Sequence, residues 1–149
     1  AKVIAAEPTL QLITYTITEK GYNLTDLSGE YTELVQSDID NGPDRPYHTM
    51  ATTAALLLER YKNGGQPVTL VSMDNFSHNG DKLRASVVEI ASGWMEKGYV
   101  EQGFIDWLQD PQNVAAPIAV IDKIVPRPDP SIGEALEARG MSNMLPREQ

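Results

Sequence analysis

Thr69-Leu-Val-Ser-Met-Asp-Asn-Phe-Ser-His-Asn-Gly-Asp-Lys-Leu-Arg84 runs from a strand into a helix across one turn. A short apolar run ends at Asp74-Asn75, the Asn79-Gly80 pair follows, and a helical pattern begins. In an open parallel sheet, ligands bind outside the carboxyl ends of the strands, where such a turn lies. Two amides and a carboxylate gathered there suit an uncharged substrate rich in hydroxyls or carrying a carbonyl.

Outward from this segment the chain alternates strands and helices. Leu10 to Thr18 alternates apolar and polar residues, with β-branched Ile13, Thr14, Thr16 and Ile17, and is predicted as a strand. Glu19 to Arg45 is polar and turn-rich and is expected to be one long loop, either functional or disordered, with Tyr22 and Tyr31 as its candidate anchors. Pro46 suits a first helical turn with Asp44 as its cap; Met50, Ala54, Leu57, Leu58 and Tyr61 continue the stripe to Asn63-Gly64-Gly65. Pro67 to Met73 is the second strand. Leu83, Val87, Ile90, Ala91 and Trp94 mark the next helix, and Val100 to Leu108 a shorter one. Ile118 to Val125 is the expected third strand. Pro126, Pro128 and Pro130 suggest an extended connector, Ser131 to Arg139 a short helix, and Met141 to Gln149 a frayed end. No connection shortens to a two-residue hairpin, so parallel pairing is expected. The fold class is α/β, with about three parallel strands and helices.

Composition bounds the function. The 149 residues are 41% hydrophobic and 22% charged, as in an ordinary soluble domain. No apolar run approaches the roughly 18 residues of a membrane span. A net charge of −9, with 12 scattered Lys and Arg, speaks against nucleic acid, which requires a basic face. The absence of cysteine fits the cytosol and removes disulfides and thiolate metal sites. Two histidines, not at i and i+4, form no metal constellation, and no serine has a Gly-x-Ser-x-Gly context.

Asp74-Asn75 followed by His78-Asn79-Gly80 and Leu83-Arg84 resembles the Asp-Asn-x-x-x-Asn-Gly segment of the long-chain mannitol dehydrogenase family. Thr16-Ile17-Thr18-Glu19-Lys20-Gly21-Tyr22 is similar to that family's Thr-Ile-Thr-Glu-x-Gly-Tyr strand end. Thr25 to Tyr31 is similar to the following loop, and Ile121-Asp122-Lys123-Ile124-Val125-Pro126 to its Val-Asp-Arg-Ile-x-Pro segment. The matches fall in the family's order from about Leu10 to Pro130. The family comprises zinc-independent polyol dehydrogenases and hexuronate reductases that use NAD or NADP. The glycine-rich phosphate turn and the helical domain carrying the catalytic lysine have no counterpart here. The resemblance therefore implies the second half of a Rossmann-like, doubly wound domain over residues 1–130, then a connector and tail over 131–149. It implies a fragment of a longer enzyme, inactive alone, acting in full length on a sugar alcohol or sugar acid.

By resemblance, Asn75 is the catalytic residue, one of two asparagines that hydrogen-bond the reacting oxygen; the alternative is an asparagine closing the turn through local backbone bonds. Asp122 is placed beside substrate. Its position in an apolar strand makes an unpaired carboxylate costly, so a polyol hydroxyl or an ion pair would have to satisfy it. Thr18 and Glu19 end a strand where the cofactor ribose or nicotinamide would lie, or simply lead into a surface loop. Asn79 reads first as turn chemistry, with Gly80 supplying a positive φ, and secondly as a cofactor contact. Asp74 is expected to brace the turn, His78 to cap or face solvent, and His48 to be solvated. The rival reading is a non-catalytic binding module that retained half a nucleotide-binding fold. A half-sheet also leaves a strand edge bare, so the fragment is expected to self-associate.

Overall fold

Val68–Ser72 (β2) is the middle strand of a three-stranded parallel sheet, flanked by Leu12–Tyr15 (β1) and Val114–Ala115 (β3). Leu12 pairs with Thr69 and Tyr15 with Ser72, while Val68 pairs with Val114. The computed structural model describes residues 1–122 and 130–142. A helix at Lys2–Ala6 (α1) precedes β1. Between β1 and β2 the chain forms a 3-10 turn at Glu19–Tyr22, then helices Glu33–Asn41 (α2) and Thr49–Lys62 (α3). Between β2 and β3 it forms Asn79–Glu96 (α4) and Gln102–Gln109 (α5), and Pro130–Glu137 (α6) comes last. Two strand–helix–strand units side by side bear out the α/β reading.

The core lies between one face of the sheet and the helices. Val68, Leu70 and Ser72 of β2, Tyr15 of β1 and Val114 of β3 are buried on this face. Against them pack Met50, Ala54, Leu57 and Leu58 of α3, the Leu83–Val87–Ile90–Ala91–Trp94 stripe of α4, and Phe104, Ile105, Trp107 and Leu108 of α5. The stripes of α3 and α4 are those the helical spacing predicts. On the opposite face Leu12 is 51% exposed, Thr14 is exposed, and Thr69, Val71 and Ala115 are half-buried.

Three expectations change. The polar stretch after Tyr22 is not one loop, because α2 runs through it, capped by Thr32 Oγ1 accepting from the Val35 amide. Its apolar signal is thin, with Val35 and Ile39 alone as buried hydrophobic residues. Next, α3 starts at Thr49 rather than Pro46, and Asp44 does not cap it. The Asp38 carboxylate of α2 accepts from the Tyr47 and His48 amides, and His48 Nδ1 accepts from the Met50 amide. Burial holds the His48 imidazole below its usual pKa against the pull of Asp38, so it is a half-buried cap and not a solvated side chain. Finally, β3 is two residues long and lies before the expected third strand. Residues 118–122 form no strand, and 123–125 lie outside the described residues, as do Pro126 and Pro128. Pro117 explains the stop, since it has no N–H to donate to a neighbouring strand.

Arg60 was not singled out by sequence, yet it is 2% exposed. All five of its N–H donors are used on backbone carbonyls. Nε donates to Gln66 O (2.6 Å), the two η nitrogens to Ala5, Glu7, Leu10 and Pro67 O (2.7 to 3.0 Å). One guanidinium thus ties the N-terminal ten residues to the α3–β2 connection, and no carboxylate pairs with it among the described residues. Arg60→Lys keeps the charge but offers three donors to five buried acceptors. It should cost about 1–3 kcal/mol in urea denaturation, the scale of buried polar groups left unsatisfied. The amides of residues 5–10 should lose hydrogen-exchange protection first.

Candidate functional site at the strand ends

The carboxyl ends of β1 and β2 are joined through one carboxylate. Asp74, 8% exposed, follows β2. Its Oδ2 accepts from the Ile17 amide (2.9 Å) and the Tyr22 hydroxyl (2.6 Å), and its Oδ1 from the Thr18 amide (2.9 Å). Burial raises the Asp74 carboxyl, but these three donors outweigh it and leave the group below its usual range. The Tyr22 hydroxyl, fully buried and also bonded to Ser72 Oγ at 2.8 Å, is pushed up to about 12 by burial and by Asp74. This is the bracing expected of Asp74, reaching across strands rather than within its own turn.

The brace imposes an unusual backbone. Thr18 lies at φ 62°, ψ 160°, a region nearly reserved for glycine. Such a conformation costs about 1–3 kcal/mol and persists where surrounding bonds over-determine it. Here the Thr18 amide is held by Asp74 and its carbonyl accepts from the Gly21 amide. The Thr18 and Glu19 side chains are left exposed at the rim.

Asn79 is fully buried, and its amide is saturated. Nδ2 donates to Asp74 O and Ala119 O; Oδ1 accepts from the Gly80 and Ala119 amides, at 2.8 to 3.1 Å. The side chain therefore pairs with Ala119 on both its N–H and C=O, as a neighbouring strand would. That pairing takes the place of the strand expected after Pro117. Gly80 does not supply a positive φ; His78 does, at 55° in the left-handed region. Gly80 is required for another reason. A Cβ on it would sit 2.4 Å from the carbonyl oxygens of Ala116 and Pro117. His78 pairs with Asp81 at the surface through a 3.0 Å contact.

A continuous line of bonds thus runs from Thr18 through Asp74 and Asn79 to Ala119. Asn75 is exposed and its side chain has no hydrogen-bond partner among the described residues. The turn is closed by its neighbours, and the Asn75 amide takes no part in closing it. Asp122 is exposed in coil, three residues beyond Ala119, so the expected conflict of a carboxylate in an apolar strand does not arise. Glu19, Phe76, Ser77, His78, Asp81 and Lys82 line a shallow depression of about 370 Å³ beside the first turn of α4. Exposed hydrogen-bonding groups above a rigid polar brace suit a ligand rich in hydroxyls. Sequence reasoning passed over Ser72 and gave Tyr22 only a general anchoring role. The available signal was that Ser72 shares the inward face of β2 with Val68 and Leu70, where a hydroxyl needs a partner.

Comparison with known proteins agrees with the fold. Residues 1–141 match the family described as the mannitol dehydrogenase Rossmann domain. A D-mannonate oxidoreductase of Thermotoga maritima is 49% identical over 97% of the chain, and the match covers 26% of that protein. A D-arabinitol 4-dehydrogenase of Klebsiella pneumoniae is 29% identical over 95% of the chain and 30% of that protein. The crystal structure of a D-sorbitol dehydrogenase in substrate-free form superposes with a TM-score of 0.66 at 26% identity, covering 93% of the chain and 27% of that structure. The chain thus spans between about a quarter and a third of the length of these relatives.

The brace makes a pH prediction. The Asp74 carboxyl is lowered on folding, so its stabilisation is complete above the ordinary value of 3.8 and is lost as pH falls through the lowered one. Asp74→Asn must turn an NH2 toward N–H or O–H donors. It should cost about 2 kcal/mol or more at neutral pH. The stability-against-pH curve of this variant should also be flatter on its acid limb, as read by urea denaturation between neutral pH and the acid transition.

Proposed function

The chain belongs to the mannitol dehydrogenase family, and from that premise we propose that it forms the strand-end wall of a nicotinamide-dependent oxidoreductase site. The intact enzyme interconverts a sugar alcohol or hexonate with its ketose or hexuronate. The observation that carries this reading is Asn75: an exposed carboxamide without a partner among the described residues, on a braced turn at the carboxyl end of the central strand.

A bound nicotinamide supplies or accepts the hydride. The residues of this chain orient and stabilise. In the reducing direction negative charge builds on the substrate oxygen, and the Asn75 NH2 donates to that oxygen. A neutral amide does this independently of pH. Because the turn is already fixed, little reorganisation accompanies the charge build-up. Thr18 and Glu19, exposed at the end of β1, border the cofactor, and Asp122 accepts from substrate hydroxyls. Asn79 has no hydrogen-bonding capacity left, so its contribution to the cofactor side is to hold the Ala119 segment in place. The general base comes from outside these residues. The 49% identity to a D-mannonate oxidoreductase supports a hexonate as the first substrate to test, with NAD and NADP in parallel.

In the intact enzyme, Asn75→Ala should lower kcat by roughly 10²-fold or more, the cost of removing one oxyanion donor, while the KM for the cofactor changes little. Steady-state assays with D-mannonate, mannitol and D-arabinitol decide it. Turnover within about threefold of the parent would return Asn75 to the role of a turn residue.

Produced alone, the 149-residue chain pairs with a second copy of itself. Parallel sheets are normally covered on both faces, and here β1 is an edge strand among the described residues, with Leu12 and Thr14 exposed. Ile4, Leu10, Leu12, Ile13 and Leu56 line an apolar groove of about 340 Å³ along that edge. Sedimentation equilibrium should give a dimer or larger species at micromolar concentrations, and Leu12→Lys should shift it to monomer. A wild-type monomer at high micromolar concentration would refute the pairing.

A further inference from the structure

Both neighbours of Asn75 rest on one side chain. Asp74, on one side, accepts the Tyr22 hydroxyl at 2.6 Å. Phe76, on the other, packs its ring on that of Tyr22 with centroids 5.2 Å apart at 58°. Tyr22 itself is completely buried and held from two further directions. Its hydroxyl meets Ser72 Oγ at 2.8 Å, and its backbone carbonyl accepts from Ser86 Oγ of α4 at 2.7 Å. It therefore has little freedom to move, and the residues flanking Asn75 inherit that rigidity. Asn75 makes no side-chain bond of its own among the described residues. Its place is decided wholly by its neighbours.

We infer that Tyr22 is a positioning residue for the reaction: through its bond to Asp74 and its ring contact with Phe76 it fixes the Asn75 amide at the point where substrate oxygen is met. The inference rests on the role proposed for Asn75. Tyr22 lies 53 positions away in sequence, at the end of the 3-10 turn after β1, so it also links that placement to the geometry of the Thr18–Glu19 rim. The Tyr22 hydroxyl donates to a carboxylate, and its raised pKa keeps it protonated throughout the working range. It takes no part in proton transfer. Its effect is geometric, and misplacement of a donor by about 1 Å can cost up to about 10²-fold in rate.

The test is a double-mutant cycle in the intact enzyme, read as kcat and KM with D-mannonate and the preferred cofactor. Tyr22→Phe deletes the hydroxyl and keeps the ring. It should lower kcat roughly 10- to 100-fold with the cofactor KM within about twofold. In the Asn75→Ala background the same substitution should cost less than about twofold, because the amide it positions is gone. Phe76→Leu breaks the other contact and should show the same dependence on Asn75, which keeps the test open if Tyr22→Phe does not fold. Equal fold losses with and without Asn75, for either substitution in folded protein, would overturn the inference while leaving the Asn75 role intact. Asn75→Ala with unchanged turnover would instead overturn both.

Discussion

The pairing of β1 with β2 is fastened at each end by a buried charge, and the two charges have opposite sign. At the carboxyl end, Asp74 collects the Ile17 and Thr18 amides and the Tyr22 hydroxyl. At the amino end, Arg60 collects the carbonyls of Leu10, just before β1, and of Gln66 and Pro67, just before β2. The logic is that of unsatisfied backbone. Where strands begin and end, N–H and C=O groups run out of ladder partners, and burying them without bonds is costly. An anion serves the amides and a cation the carbonyls. Neither charge has an ionic partner among the described residues, so each depends on the backbone as the backbone depends on it.

The candidate site follows from the carboxyl-end fastening. The short bond between Tyr22 and Asp74 sets the turn after β2, and the Asp74 carboxylate holds Thr18 in a conformation a threonine would otherwise leave. Asn79 extends the same framework by bonding to Asp74 O and pairing with Ala119, which brings the chain beyond Pro117 alongside α4. Gly80 permits that approach because a single added carbon would collide with two backbone oxygens. The rigid elements consume almost every polar group near them. Thr18, Glu19 and Asn75 remain exposed beside them. A fixed scaffold carrying a few free groups is the arrangement that electrostatic preorganisation requires.

Some of this was legible along the chain. The stripes Met50–Ala54–Leu57–Leu58 and Leu83–Val87–Ile90–Ala91–Trp94 announced α3 and α4, because burying one face of a helix imposes a period near 3.6. The apolar run ending at Asp74-Asn75 announced β2 and the turn above it, and the ordered motifs announced the family. The helix α2 was not legible, since two buried hydrophobic residues do not raise a period above the polar background. The end of the sheet at Ala115 has one sign in the sequence, Pro117, which has no N–H to donate. Ile118 to Val125 has the composition of a strand, but composition does not reveal that an asparagine side chain 40 positions earlier occupies the pairing groups of Ala119.

The α/β class, the positions of the main helices, the middle strand and the family of the strand-end motifs can all be read along the chain. These depend on local periodicity and on residues close together in the chain. Tertiary structure alone decided which polar groups are spent and which are free. That Asn79 is saturated while Asn75 is open, that Gly80 serves contact rather than φ, and that Arg60 and Tyr22 are buried hubs all depend on bonds between segments 40 to 57 residues apart. A one-dimensional pattern records which donors and acceptors a chain possesses. Only folding brings a donor to its acceptor, and what is left unpaired afterwards is the part available for function.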